Sequence, residues 1–253
     1  MALVDKHRNG TGSASKLEAQ PLYARVKGVL IERLIEGVWK PGQAIPSEFA
    51  IADDLGVSQG TVRKALDAMT KEGLLRRKQG RGTFVAEAED QSILFRFYRL
   101  TPNAGTENAS FPDSQYLSQK LGQANEVERQ VFGIDEGAPV WRFERLRSDS
   151  SGPILWEELS VPNAIFADFS EETVLPNNVY QFYGTRYGII VAKVREELRA
   201  TIGSPKICEL LQLPSGSPLL QIERHAIALS GDVVERRVSH CRSDTMHYRN
   251  ELR

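Results

Sequence analysis

WKPGQAIPSEFAIADDLGVSQGTVRKALDAMTKEGLLRRKQGRGTFV, running from Trp39 to Val85, packs the signals of two short helices and a basic hairpin into one continuous segment. Pro46-Ser47-Glu48 opens a helix: Ser47 serves as N-cap, and Glu48 sets an acidic group against the positive end of the helix dipole. Phe49, Ile51, Ala52 and Leu55 supply its apolar side, and Gly56-Val57 breaks it. Ser58 caps a following helix that runs to about Glu72, in which Val62, Ala65, Leu66 and Met69 recur at i, i+3, i+4 and i+7 and so face inward. Gln59, Thr61, Arg63 and Lys64 are left outside. Two helices across a tight turn form a helix-turn-helix, whose second helix lays its first residues against base edges in the major groove. Gly73 then stops that helix, and 74–78 and 79–85 read as two strands around a glycine turn, a wing. Lys71, Arg76, Arg77, Lys78 and Arg81 face only Glu72 in this segment, the local basic excess that phosphate contacts require.

Upstream, Pro21 to Glu36 carries Leu22, Val26, Val29, Leu30, Ile31 and Leu34 at helical spacing, a core helix ended by Gly37. The charge is distributed unevenly: three basic and one acidic residue in 1–16 (+2), 11 against 8 in 17–86 (+3), and 18 against 24 beyond (−6). At 253 residues and 41% hydrophobic content the chain accommodates two ordinary domains, each with a core. The expected division is a disordered tail over 1–16, a DNA-binding domain over 17–86, a linker over 87–93 and a second domain over 94–253. No run approaches the roughly 20 apolar residues of a membrane helix, and the N-terminus lacks a signal-peptide core, so a cytoplasmic protein is expected. Cys208 and Cys241 alone make a disulfide scaffold improbable in that compartment.

Here the residues carry a resemblance. Pro21-Leu22-Tyr23, Trp39-x-Pro41-Gly42, Ile45-Pro46-Ser47-Glu48, Gly56-Val57-Ser58, Thr61-Val62-Arg63-x-Ala65-Leu66, Glu72-Gly73-Leu74-Leu75 and Gly80-x-Gly82-Thr83-Phe84-Val85 resemble the winged-helix domain of GntR-family bacterial transcription regulators. The family usually has Arg after the capping Ser, where this chain has Gln59, and Gln prefers adenine edges to guanine. The resemblance implies a homodimer on a palindromic site of double-stranded DNA. Ser58, Gln59, Thr61, Arg63 and Lys64 would approach bases, while Arg76, Arg77, Lys78, Gly80, Arg81, Gly82 and Thr83 would hold phosphates and the minor groove.

Beyond the linker the chain repeats itself. Ile134 to Ile154 and Leu213 to Val233 align at a fixed offset, with Gly137, Pro139, Glu144, Arg145, Ser151 and Gly152 falling on Gly216, Pro218, Glu223, Arg224, Ser230 and Gly231. Each copy reads as a strand, a turn and a return strand, so an antiparallel sheet with pseudo-symmetric halves is expected, and the whole chain is α+β. Asn178 to Tyr183 and Ser204 to Leu213 are the expected covering helices, the latter with Pro205 at its first position. Strand alternation sets Trp141, Phe143, Arg145 and Arg147 on one face. With the turn at Ser148 to Gly152, Pro153, Leu155, Glu157 and Leu159 join that face, Glu157 across from Phe143 and diagonal to Arg145. Leu220, Ile222 and Arg224 repeat the arrangement, with Glu235 near Arg224. Two readings stand: internal ion pairs, Arg145 with Glu157 and Arg224 with Glu235, or a ligand pocket in which Arg145 and Arg147, roughly 6.5 Å apart on a pleated strand, grip a phosphate or carboxylate.

This half is similar to the effector-binding UTRA domain of the HutC subfamily of GntR regulators, on Gly137-x-Pro139-Val140-Trp141 leading to Arg145-x-Arg147, Pro153, Glu157, Pro162, Tyr180, Tyr187-Gly188, and Gly216-x-Pro218-Leu219-Leu220 leading to Gly231 and Glu235. The resemblance implies the chorismate lyase fold and a small anionic effector held by Arg145 and Arg147, with Glu157, Tyr180 and Glu235 lining the rest. Tyr248, four residues after Asp244, keeps the family's terminal spacing, and the stretch Leu94 to Pro102, with Arg96, Arg99 and Thr101, reads either as completing an anion site or as a basic strand. Two enzyme readings compete. Gly56-Val57-Ser58-Gln59-Gly60 matches the G-x-S-x-G nucleophile elbow, but the elbow needs a strand before its Ser and 51–55 reads as helix. Residual chorismate-lyase-like turnover needs a general acid and base, and no such pair stands out. His7, His225, His240 and His247 show no metal-ligand spacing, so neither metal nor cofactor is expected.

Overall fold

The computed structural model of the chain describes residues 21–86, 98–103 and 111–251; the expected tail, the linker and Arg96 lie outside them. Among the described residues no helix is long and apolar enough to cross a membrane.

The first unit is built from α1 (Leu22–Ile35), α2 (Glu48–Leu55), α3 (Gln59–Lys71) and a hairpin of β1 (Leu75–Lys78) and β2 (Gly82–Val85). Val26, Leu30 and Leu34 of α1, one turn apart, meet the inward Val62, Ala65, Leu66 and Met69 of α3 in one core. Both caps form as their residue types dictate. Ser47 accepts from the Ala50 N–H at 3.1 Å, and Ser58 accepts from the Thr61 N–H at 3.2 Å. Between them Gly56 takes φ +63°, the left-handed conformation that ends α2 and turns the chain sharply into α3. The segment before α2 adds to the hairpin, with Ile45 N–H bonded to the Thr83 carbonyl and Val85 N–H to that of Gln43.

The second unit is a six-stranded, wholly antiparallel sheet in the order β4-β5-β6-β9-β8-β7. Its strands are β4 (Asp113–Gln123), β5 (Pro139–Asp149), β6 (Gly152–Pro162), β7 (Val191–Ile202), β8 (Pro218–Ala228) and β9 (Val233–Arg242), with β3 (Leu100–Pro102) and β10 (Met246–Tyr248) paired separately. Three helices accompany it: α4 (Glu126–Phe132), α5 (Val179–Tyr187) and α6 (Pro205–Leu210). The internal repeat is larger than the sequence reading made it. β8 begins and ends 79 residues after β5, and α6 begins 79 residues after α4, so each half is strand, helix, hairpin. The halves join at the β6–β9 pair, where Trp156 faces His240. Helix α4 was not expected, although Asn125 and Glu128 form a full capping box, a pattern visible in the sequence.

The pleat gives the sheet two different faces. Trp141, Phe143, Arg145 and Arg147 are buried on one, together with Leu155, Glu157 and Leu159. On the other, Leu211 packs with Leu146, Trp156 and Leu219, and Arg142 and Ser160 bond to Glu128 of α4. The register differs from expectation. Glu157 lies directly opposite Arg145, and Leu159, not Glu157, lies opposite Phe143. The cause is a turn of only Ser150 and Ser151, closed by Asp149 and Gly152, followed by a bulge at Arg147/Ser148 that pairs Pro153 with Ser148. In the second hairpin Arg224 lies opposite Arg237 and Glu235 opposite Ala226, so Glu235 is diagonal to Arg224, whose carboxylate at 2.6 Å is Glu196.

Candidate functional site

On the first unit, the N-termini of α2 and α3 and the wing come together around one carboxylate. Glu48, at the first position of α2, accepts from Arg63 Nε at 2.9 Å, Arg77 Nη2 at 3.1 Å and Gln59 Nε2 at 3.5 Å. Burial pushes its carboxyl up, and the two guanidiniums outweigh that and hold it below the usual carboxylate range. Arg77 also bonds Asp67 at 2.7 Å, so this wing arginine is held by two acids of the chain itself. Ser58 is committed to its cap and to the Thr61 hydroxyl, 2.8 Å away. Lys64, Arg76 and Arg81 are exposed, while Lys78 lies 4.6 Å from the centre of the Phe84 ring. Gly80 and Gly82 take φ +69° and +109°, the positive-φ conformations that let the hairpin turn tightly around exposed Arg81. The Ser58 of the G-x-S-x-G match follows a helix, not a strand, and its hydroxyl is spent on capping.

On the second unit, a cavity of about 700 Å³, counted to its open mouth, lies against the arginine-bearing face of the sheet, below the start of α5. Of the residues singled out from sequence, Arg147, Glu157, Tyr180, Arg99 and Tyr248 line it. Arg145 and Glu235 do not: they sit behind its wall and hold the lining residues in place. Arg145, fully buried, donates to Glu157 from Nε (3.0 Å) and Nη2 (2.6 Å) and to the Pro176 carbonyl from Nη1 (3.0 Å). Glu235 accepts from the Tyr183 hydroxyl at 2.9 Å, from Arg237 at 2.8 Å and from Tyr180 at 3.3 Å.

Glu157 is the hinge of the charge network. One oxygen takes Arg145 and also Arg147 Nε at 2.8 Å, and the other takes Arg237 Nη1 at 3.3 Å. Burial would raise its carboxyl, but Arg147, Arg237 and Arg145 hold it well below the ordinary range, so it stays ionised. Arg147 is lowered to about 10, chiefly by burial and further by Arg145 and Arg237, and remains protonated at neutral pH. Arg237 is raised, since Glu157 and Glu235 outweigh its burial. Arg224 pairs with Glu196 of β7 at 2.6 Å, and the Tyr248 hydroxyl bonds the same carboxylate. Tyr180 and Tyr248 are each pushed up to about 12, first by burial and then by the neighbouring carboxylate. Both therefore stay neutral hydroxyls. The cluster holds Arg145, Arg147, Arg224 and Arg237 against Glu157, Glu196 and Glu235, a residual positive charge to which exposed Arg99 adds at the mouth.

Several lining residues escaped the sequence reading, Arg237, Asn177 and Phe111 among them. Arg237 had a signal: it stands two residues after Glu235 on a strand, hence on the same face. Asn177, which accepts from Arg147 Nη1 at 2.7 Å, comes from an irregular segment with no periodicity to mark it. Phe111, whose ring centre lies 5.0 Å from the Arg147 guanidinium carbon, also comes from outside any strand.

With the geometry in place, likeness to known proteins is informative. Residues 22–85 match the model of bacterial regulatory proteins of the gntR family, and residues 110–247 match the UTRA domain. The chain is 29% identical over 223 residues to the histidine utilization repressor of Pseudomonas putida, covering 87% of this chain and 88% of that one. It is 30% identical over 211 residues to the repressor of the same name from Pseudomonas aeruginosa, covering 81% and 80%. The ligand-binding domain of a GntR-family transcriptional regulator from Bordetella bronchiseptica superposes with a TM-score of 0.56 at 26% identity, over 62% of this chain and 98% of that one. The chain belongs to the GntR family of bacterial transcription regulators, in its HutC subfamily with a UTRA effector domain, and is a DNA-binding regulator rather than an enzyme.

Proposed function

We propose that the protein is a cytoplasmic homodimeric repressor whose two winged domains, within residues 17–86, bind a palindromic operator, and whose affinity for it is set by a small anionic metabolite held by residues 94–253. The observation that carries the effector class is the net positive cavity: its lining combines arginines with apolar and aromatic side chains from Leu155, Ile222, Tyr98 and Phe111. Such a site fits a carboxylate or phosphate carrying a compact apolar or ring-containing body. Repression is supported by the names of the Pseudomonas relatives, and these also place imidazole-derived acids from histidine breakdown among the compounds to test first.

The deciding measurement is a thermal-shift screen of the full chain against sugar phosphates, phosphonates, carboxylates and imidazole-derived acids, repeated on Arg99→Ala. Arg99 is exposed at the mouth, so its removal leaves the buried network intact. A ligand that shifts the wild type and loses affinity in the variant fits the proposal. Stabilisation by uncharged ligands alone would sink the anionic reading. Size-exclusion chromatography with light scattering tests the dimer, and a monomer at micromolar concentration would refute it.

A further inference from the structure

The three side chains that converge on Glu48 come from two elements. Gln59 and Arg63 belong to the first turns of α3, and Arg77 belongs to the wing. Glu48 itself is largely covered, its side chain 18% exposed, whereas Arg63 is 57% exposed. The manner of the Arg63 contact matters. Glu48 takes the guanidinium by Nε, the nitrogen nearest the stem, and no other hydrogen bond of Arg63 is made among the described residues. Its two terminal nitrogens, the fork of the guanidinium, therefore carry no hydrogen bond among the described residues. That fork is the part of arginine that reads the O6 and N7 edge of guanine in the major groove. A guanidinium fixed by its stem loses less side-chain freedom on docking than one free in solvent, and its orientation is already selected.

We propose that Glu48 is a positioning residue for sequence recognition: it presents the Arg63 fork to one base pair of each half-site. It makes no DNA contact itself, and its negative charge opposes indiscriminate phosphate binding, so it raises selectivity and not total affinity. The inference rests on α3 being the base-reading helix.

The test uses the full chain and a duplex enriched from a random pool by the wild-type protein, with a scrambled duplex of the same composition as reference. For Glu48→Gln the ratio of the two affinities should fall about tenfold, while affinity for the scrambled duplex stays level or rises. Re-selection with the variant should relax base preference at the Arg63 position and leave the other positions as they were, a pattern that general loss of folding does not produce. In an Arg63→Ala background Glu48→Gln should lower the ratio no further. A ratio within twofold of wild type in Glu48→Gln, or an equal fall with Arg63 already absent, overturns the proposal. If Arg63→Ala collapses the ratio and Glu48→Gln does not, the α3 reading stands and the role of Glu48 fails; if Arg63→Ala leaves the ratio unchanged, both fail. Should Glu48→Gln not fold, Glu48→Asp keeps the charge but not the reach: a fall in its ratio supports the proposal and an unchanged ratio overturns it.

Discussion

Arg145 and Arg99 occupy opposite ends of the same charge system, and their substitution should separate stability from ligand binding. Arg145 is fully buried and spends its donors on Glu157 and the Pro176 carbonyl, so Arg145→Ala leaves Glu157 short of a partner inside the protein. Breaking a buried pair in this way costs about 3–5 kcal/mol. Denaturant unfolding followed by the fluorescence of Trp141 and Trp156 should show that loss; a loss under about 1 kcal/mol would mean that the network reorganises without cost. Arg99→Ala should leave the unfolding curve in place while weakening anion binding. At the DNA-reading face, Arg63→Ala should cost about 1–3 kcal/mol of operator discrimination. Fluorescence anisotropy at matched salt measures it, and an unchanged preference would remove Arg63 from the base-reading set.

At the scale of elements, the winged unit depends on where its helices begin and end. Ser58 both caps α3 and fixes the height of Gln59, Thr61 and Arg63 above the DNA, since its hydroxyl ties the first turn through the Thr61 N–H and hydroxyl. Ser58→Ala should cost about 1 kcal/mol of stability. Gly56→Ala should cost about 1–2 kcal/mol, because an L side chain at φ +63° is strained even though nothing stands within 4 Å of the added Cβ. Thermal unfolding by circular dichroism checks both. In the effector domain, α5 supplies Val179 and Tyr180 to the cavity from its first turn, while Tyr187 at its far end lines a second cavity that also borders Leu34 and Ile35 of α1. This helix of nine residues thus touches both the effector cavity and the boundary with the DNA-binding unit.

For the whole molecule, acid should act through two limbs. Burial holds the half-buried His240 below its ordinary 6.5, so the unfolded chain binds a proton there first and stability falls as pH drops below 6.5. Glu157 is held well below 4.5, so its contribution is complete above that value and is lost as pH falls through the carboxylate range. Denaturant melts carried from pH 8 to well below 4.5 should therefore show a shallow decline and then a steep one. His240→Gln should abolish the first limb alone; a first limb that survives this substitution would assign it to another group. Effector and operator are linked in the same way: a ligand that weakens DNA binding tenfold must bind tenfold less tightly to the DNA complex, a coupling of about 1.4 kcal/mol. Titrating effector into free and DNA-bound protein would measure that reciprocity.

Sequence alone determined the winged helix, because its instructions are local: Ser47 and Ser58 cap within three residues, Gly56 and Gly73 end helices where they stand, and the inward stripe of α3 follows from helical period. It also determined that Trp141, Phe143, Arg145 and Arg147 share a buried face, since alternation is a property of any pleated strand. The Arg145–Glu157 ion pair, one of the two readings of that face, forms as well, whereas the partners of Arg147, Arg224 and Glu235 were decided only by the tertiary structure. A two-residue turn and one bulge moved Glu157 opposite Arg145, and Arg224, with Glu235 diagonal to it, pairs with Glu196 from a neighbouring strand 28 positions away. Arg237 and Asn177 entered the cavity wall through pairing and packing that bring distant segments together. Strand period fixes the face on which a side chain lies, whereas its neighbours on that face depend on strand order and register, and those are properties of the assembled sheet.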